Sequence, residues 1–123
     1  MSIRKYSDLV VWNEGLELAE EIYRLTKTFP GHERYALSIQ MRRAVLSIPS
    51  NIAEGYCRFY TREYLRFVTI ALGSLAELET QLEMAKRLGY LGEEGTQNAR
   101  EKASTLGRRL QRLRQALQKK ARS

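Results

Sequence analysis

Apolar residues return along this chain at steps of three and four, in four stretches, each of which places them on one side of a helix. The first runs from about Leu9 to Thr28, with Trp12, Leu16, Ala19, Tyr23 and Thr26 in line. Asp8 is placed to cap its opening turn by accepting from an N–H that has no partner inside the helix. Phe29-Pro30-Gly31 ends it, because Pro30 lacks a donor and restricts the residue before it. The second stretch, about Glu33 to Cys57, carries Leu37, Met41, Ala44, Ile48 and Ile52. Pro49 inside it predicts a kink or a loosened turn, and Gly55 a second weak point. Arg58-Phe59-Tyr60 reads as a short turn.

The third stretch, about Arg62 to Leu88, has the strongest pattern. Tyr64, Leu65, Phe67, Val68, Ala71, Leu72, Leu75, Leu78, Leu82 and Ala85 fall within an arc of about 160 degrees, which suits a helix touching two or more neighbours. Thr61 is its expected N-cap, Glu63 suits the positive end of the dipole, and Gly89 suits a C-terminal cap. In the fourth stretch, about Glu93 to Lys120, Ala99, Ala103, Leu106, Leu110, Leu113 and Leu117 keep a stripe of about 80 degrees. Gly95 and Gly107 lower helix propensity, so the start of this stretch is expected to fray. Short links between long helices make neighbours antiparallel. The pattern predicts an all-α, up-down-up-down four-helix bundle, one domain over residues 1–123.

Composition narrows the chemistry. The 123 residues are 43% hydrophobic and 28% charged, as in ordinary globular proteins. One cysteine and one histidine exclude a disulfide framework and the usual zinc sets. No run approaches a membrane span, and Met1-Ser2-Ile3-Arg4-Lys5 leads into no signal-peptide core, so a soluble, cytoplasmic protein with no membrane association is expected. The net charge of +7 is unevenly placed. Residues 1–98 hold 12 basic and 13 acidic side chains, whereas residues 99–123 hold nine basic ones and Glu101 alone as an acid. That segment either focuses an anionic partner on one surface or serves solubility.

Candidate catalytic residues are lacking. His32 lies in the turn after the first helix with no nucleophile nearby in sequence, and Cys57 reads as a small, half-buried apolar residue. There is no phosphate-binding glycine loop, and Glu77 and Glu83 pair with no histidine, so no metal, no cofactor and no enzyme activity are expected. On helix two, Gln40, Arg43, Ser47, Asn51, Glu54 and Arg58 share about 80 degrees beside the apolar stripe, and helix three offers Arg66, Ser74, Glu77 and Gln81 on a comparable flank. Arg–Glu pairs between these helices, or between subunits, would fix register; a ligand or nucleic-acid contact is the other reading. Glu79 falls inside the apolar arc of helix three, where it is either solvated or facing basic groups of helix four. On helix four, Arg108, Arg112 and Lys119 form a ridge, with Arg109, Arg114 and Lys120 beside it. Such a ridge can track RNA or DNA phosphates without reading bases. Helix four carries no interleaved aromatics of the kind that stack bases.

The run from Gln40 to Gly55, QMRRAVLSIPSNIAEG, resembles the signature stretch of the four-helix bundle proteins encoded in intervening sequences of bacterial 23S ribosomal RNA genes. Tyr6, Asp8, Leu9, Val11, Trp12, Phe29-Pro30 with Glu33, Glu63, Arg66-Phe67, Ala71, Gly73-Ser74 and Leu88-Gly89-Tyr90-Leu91 extend the likeness over about residues 4–95. Cys57, where a glycine is common, and the basic segment 99–123 depart from it. The resemblance implies a homopentamer around a central channel, as in the similar accessory protein of diversity-generating retroelements. That protein is linked to nucleic acid and reverse transcriptase through a basic surface. Arg43, Asn51, Glu54, Arg66 and Glu77 look like family positions, and the resemblance implies no catalytic role for any of them. Two functions therefore stand: an oligomer that binds RNA or DNA through helix four, or a structural or protein-adaptor bundle that binds no nucleic acid and whose basic tail serves solubility.

Overall fold

Four long helices account for most of the chain in a computed structural model, which describes residues 5–33 and 36–122, the side chain of Glu33 excepted. They are α1 (Val10–Thr26), α2 (Leu37–Tyr56), α3 (Thr61–Arg87) and α4 (Glu93–Ala121), preceded by a 3-10 turn at Tyr6–Asp8. The opening residues Met1–Arg4, which bear on the expected absence of a signal peptide, lie outside the described residues. So do Arg34 and Tyr35, over which the second helix was expected to begin; within the described residues it begins at Leu37. A second 3-10 turn, Gly31–Glu33, fills the start of that link.

Helices α1 and α2, α2 and α3, α3 and α4, and α1 and α4 are in contact, which closes a four-helix bundle. The pairs run antiparallel: Ser47 and Ser74 hydroxyls meet at 2.8 Å, and further toward the turn Gly55 lies against Phe67 and Tyr64. Leu18, Ile22, Met41, Val45, Ile48, Ile52, Val68, Leu78, Leu82, Leu106 and Leu110 are fully buried at the centre. None of the described helices is long and apolar enough to cross a membrane.

Local details differ from the sequence expectations in instructive ways. Asp8 does not cap α1; Leu9 holds that position, and Asp8 Oδ2 accepts from the Lys5 backbone N–H at 3.3 Å. The Asn13 amide donates instead to the carbonyls of Ser7 and Leu9 at 3.2 and 3.0 Å, which ties the 3-10 turn to the helix. Tyr60, not Thr61, is the N-cap of α3. Helix α2 continues through Pro49, and its ring packs where α1 has Gly15: a Cβ there would stand 3.2 Å from the ring carbons. Gly55, Gly95 and Gly107 also mark close approaches, Gly95 to Leu25 of α1 and Gly107 to Leu75 of α3. Helix propensity given up at these glycines is offset by packing, so α4 is helical from Glu93 onward. After α3, Gly89 takes φ +79, and the N–H groups of Gly89 and Tyr90 donate to Lys86 and Ala85 carbonyls at 3.0 and 2.9 Å. That is the left-handed helix stop the sequence predicts at Gly89.

Candidate nucleic-acid interface

Helix α4 sorts its basic residues by direction. At 100 degrees per residue, Arg108, Arg112 and Lys119 fall within about 40 degrees of one another, opposite buried Ala99, Leu106 and Leu117. All three are exposed on the outward crest. Arg108 donates to Ser104 and Thr105 of its own helix, at 2.9 and 3.4 Å, which aims the guanidinium without neutralising it. Lys120 and Arg122 are also exposed.

The flanks behave differently. Arg109 turns toward α1 and donates to Glu14 at 3.0 Å. Arg100 turns toward α3 and pairs with Glu83, which also accepts from Arg87 at 2.9 Å. The hydrogen bond from Arg87, with the charge of Arg100, holds the Glu83 carboxyl below the usual carboxylate range. Lys86 reaches Glu93 at 3.0 Å. Arg114 is half-buried, with its Nε shielded from solvent and unpaired, and so stands off the crest. Part of the basicity is therefore structural. Between α3 and α4 a groove of about 490 Å³ brings Glu79, which is exposed, beside Arg108 and Arg112.

The polar stripe of α2 divides. Asn51 donates to the Ser47 carbonyl and hydroxyl at 2.7 and 2.9 Å, and Ser47 meets Ser74 of α3, so the middle of the stripe lies between the two helices. Its ends do not: Gln40 and Arg43 are exposed, and the Arg–Glu pair is Arg58 with Glu54 within α2, at 2.9 Å. The described link from α2 to α3 is thus serine to serine rather than arginine to glutamate. Arg66 is exposed with its guanidinium 5.7 Å from the Phe67 ring centre, and Glu77 is exposed. His32 is exposed, 3.2 Å from the Tyr90 hydroxyl. Cys57, expected to be half-buried, is exposed because α2 ends at Tyr56 and the chain leaves the core there.

Three features escape the sequence. Glu21 is buried and held by Arg24 and by the Asn98 amide at 2.8 Å. Arg42 lies 4.6 Å from the Tyr23 ring centre and donates to Thr26 at 2.9 Å, locking α2 to α1. The third is the setting of Phe59 and Tyr60. From the contact of Leu75 with Gly107, α3 runs back to Thr61 and α4 forward to Ala121 over the same number of residues. Antiparallel helices of equal rise therefore bring the α2–α3 turn and the end of α4 to one level. The basic tail and these two aromatics, remote in sequence, share one end of the bundle. Only the two arginines that flank the aromatic pair, Arg58 and Arg62, hint at this beforehand.

The family model described as 23S rRNA-intervening sequence protein matches residues 7–112. Arg108 and Arg112 lie inside that match, and Arg114, Lys119, Lys120 and Arg122 lie beyond it. No curated protein matches the chain. Among solved structures, the fold is similar to a protein of unknown function from the S23 ribosomal protein family of Bacteroides thetaiotaomicron. The TM-score is 0.80 at 25% identity, covering 86% of this chain and 96% of that one. The signature run in α2 and the bundle that surrounds it agree with both findings: the chain belongs to the 23S rRNA-intervening sequence protein family.

Proposed function

We propose that the protein is a non-catalytic, cytoplasmic, self-associating bundle that binds RNA or DNA without sequence preference through the crest of α4. The observation that carries this reading is the exposed row of Arg108, Arg112 and Lys119, on a helix with no acidic residue after Glu101. A line of cations on a rigid helix follows phosphates and releases their counterions, which gives affinity without base recognition. Self-association repeats that line on a larger surface; family resemblance suggests five copies. The test is the affinity of wild type and R108E/R112E for a mixed-sequence duplex across a salt series. Reversal is expected to weaken binding and to reduce the salt slope by about two units, at roughly 0.9 per phosphate contact. Unchanged affinity and slope would remove the crest from the interface.

A second reading, a protein adaptor, is favoured by the uncovered apolar side chains Leu46, Ile70 and Met84 on α2 and α3, 39%, 39% and 49% exposed. Light-scattering mass separates the cases. A mass near five times 14.3 kDa supports assembly through such a face, and a monomeric mass leaves it for a different protein.

A further inference from the structure

Phe59 and Tyr60 are 94% and 67% exposed, more than any other large apolar side chain among the described residues. Their ring centres lie 5.6 Å apart, edge to face. The turn that carries them joins α2 to α3, both anchored there by Gly55 against Phe67 and by the stacked rings of Tyr56 and Tyr64, 5.9 Å apart. The two rings are thus displayed on a firmly packed corner, level with the end of α4, where Lys120 and Arg122 are exposed. Arg62 is exposed beside them, whereas Arg58 is committed to Glu54 and lies 4.9 Å from the Phe67 ring centre.

We propose that this corner is a stacking platform for single-stranded nucleic acid, with bases laid on Phe59 and Tyr60 while the phosphates follow the α4 crest. This rests on the reading of α4 given above and adds the class of strand. A duplex keeps its base faces stacked inside, so exposed aromatic rings gain little from it. A single strand offers a π-face at every nucleotide, and stacking of this kind is indifferent to sequence. The charge geometry favours a strand over a membrane surface. From Arg108 to Lys119 the cations run along the bundle axis for about 16 Å toward the level of the rings, a length that a strand can follow, in addition to Arg62, Lys120 and Arg122 at that end.

Fluorescence anisotropy with the full-length protein tests this, using a labelled oligo-dT of about 20 nucleotides and a mixed-sequence duplex of the same length. Phe59→Ala is expected to lower single-strand affinity roughly tenfold to a hundredfold, with duplex affinity and both salt slopes kept. Phe59→Trp is expected to restore it. R108E/R112E weakens both ligands. Because Phe59 buries almost nothing, an unchanged far-UV circular dichroism spectrum accompanies these effects. If Phe59→Ala binds the single strand like wild type while R108E/R112E loses both ligands, the platform is refuted and the α4 reading survives. If wild type binds neither ligand at low salt, both fall. Phe59-dependent binding to phosphatidylglycerol vesicles, with no effect of Phe59 on oligo-dT, would overturn the platform in favour of a lipid surface.

Discussion

The two ends of the bundle use charge in opposite ways. Where α1 and α3 finish and α4 begins, cations meet carboxylates: Arg24 with Glu21, Lys86 with Glu93, and Arg87 and Arg100 with Glu83. At the opposite end, where α2 turns into α3 and α4 finishes, the described ion pair is Arg58 with Glu54, and Arg62, Lys120 and Arg122 stand in water with Phe59 and Tyr60. The first end folds its charge into the structure, and the second presents it. Net charge alone does not distinguish the two. A basic residue count becomes informative about binding only after the carboxylates within reach have been subtracted.

Breaking the core at the paired end should have the largest effect. Leu82 is fully buried on α3, beside Glu83. Leu82→Ala leaves a cavity among α-helical neighbours and is expected to cost about 2–5 kcal/mol, read as a lowered urea midpoint at unchanged slope. A loss under about 1 kcal/mol would mean that this end collapses onto the space and is less rigid than its ion pairs imply.

At the open end the sensitive position is Gly55. A Cβ there would lie 2.6 Å from Phe67 Cβ and 3.0 Å from Tyr64 Cδ1, so α2 and α3 must part. Gly55→Ala is expected to destabilise by about 1–3 kcal/mol despite the better helix propensity of alanine. It should also displace the Phe59–Tyr60 corner. A stabilised variant would show that the corner yields easily and does not hold the rings in place.

Much of this was legible in the residues. Periodicity located all four helices, and Gly89 marked the end of α3, because each signal is local. In α2, α3 and α4 the core follows the apolar stripe, whereas in α1 it is turned onto Val11, Leu18, Ala19 and Ile22, leaving Trp12, Leu16 and Tyr23 of the expected stripe half-buried. The failures share a cause. Residue type alone points to Asp8 and Thr61 as caps, whereas Leu9 and Tyr60 occupy those positions with no side-chain cap bond. Gly55, Gly95 and Gly107 looked like weak points because propensity is a property of one helix, while their use depends on the helix opposite. The site was half visible. The crest of α4 follows from spacing, but the separation of Arg108 and Arg112 from Arg100 and Arg109 required knowing where Glu83 and Glu14 lie. Bringing Phe59 level with the end of α4 required the register of α3 against α4.

Titration sharpens the contrast at the open end first. Tyr64 has its hydroxyl pushed up to about 12, chiefly by burial and secondarily by Tyr56 stacked against it. The folded chain therefore keeps this proton after an unfolded tyrosine, near 10, has lost its own. The contribution is complete below about pH 10 and declines as pH rises toward 12. Wild type should lose stability more steeply than Tyr64→Phe across that window, by urea denaturation at each pH. Parallel curves would place the phenol in contact with water.

The smallest effect belongs to Glu83 at the paired end, and its sign is opposite. The Arg87 hydrogen bond and the Arg100 charge lower its carboxyl, so the stabilisation is present at neutral pH, above the unfolded value, and disappears as pH falls through the lowered folded value. Glu83→Gln should be slightly less stable than wild type at pH 7, and the two should converge on acidification. The difference should also shrink in high salt, because the carboxylate is solvent-accessible and an exposed pair is screened. Raising salt leaves a buried contact such as Leu82 largely intact, so the two variants at this end separate charge from packing. If Glu83→Gln differs from wild type equally at low and high salt and at every pH, the carboxylate acts there through hydrogen-bond geometry alone. Neutralised cations would then not be what distinguishes this end from the other.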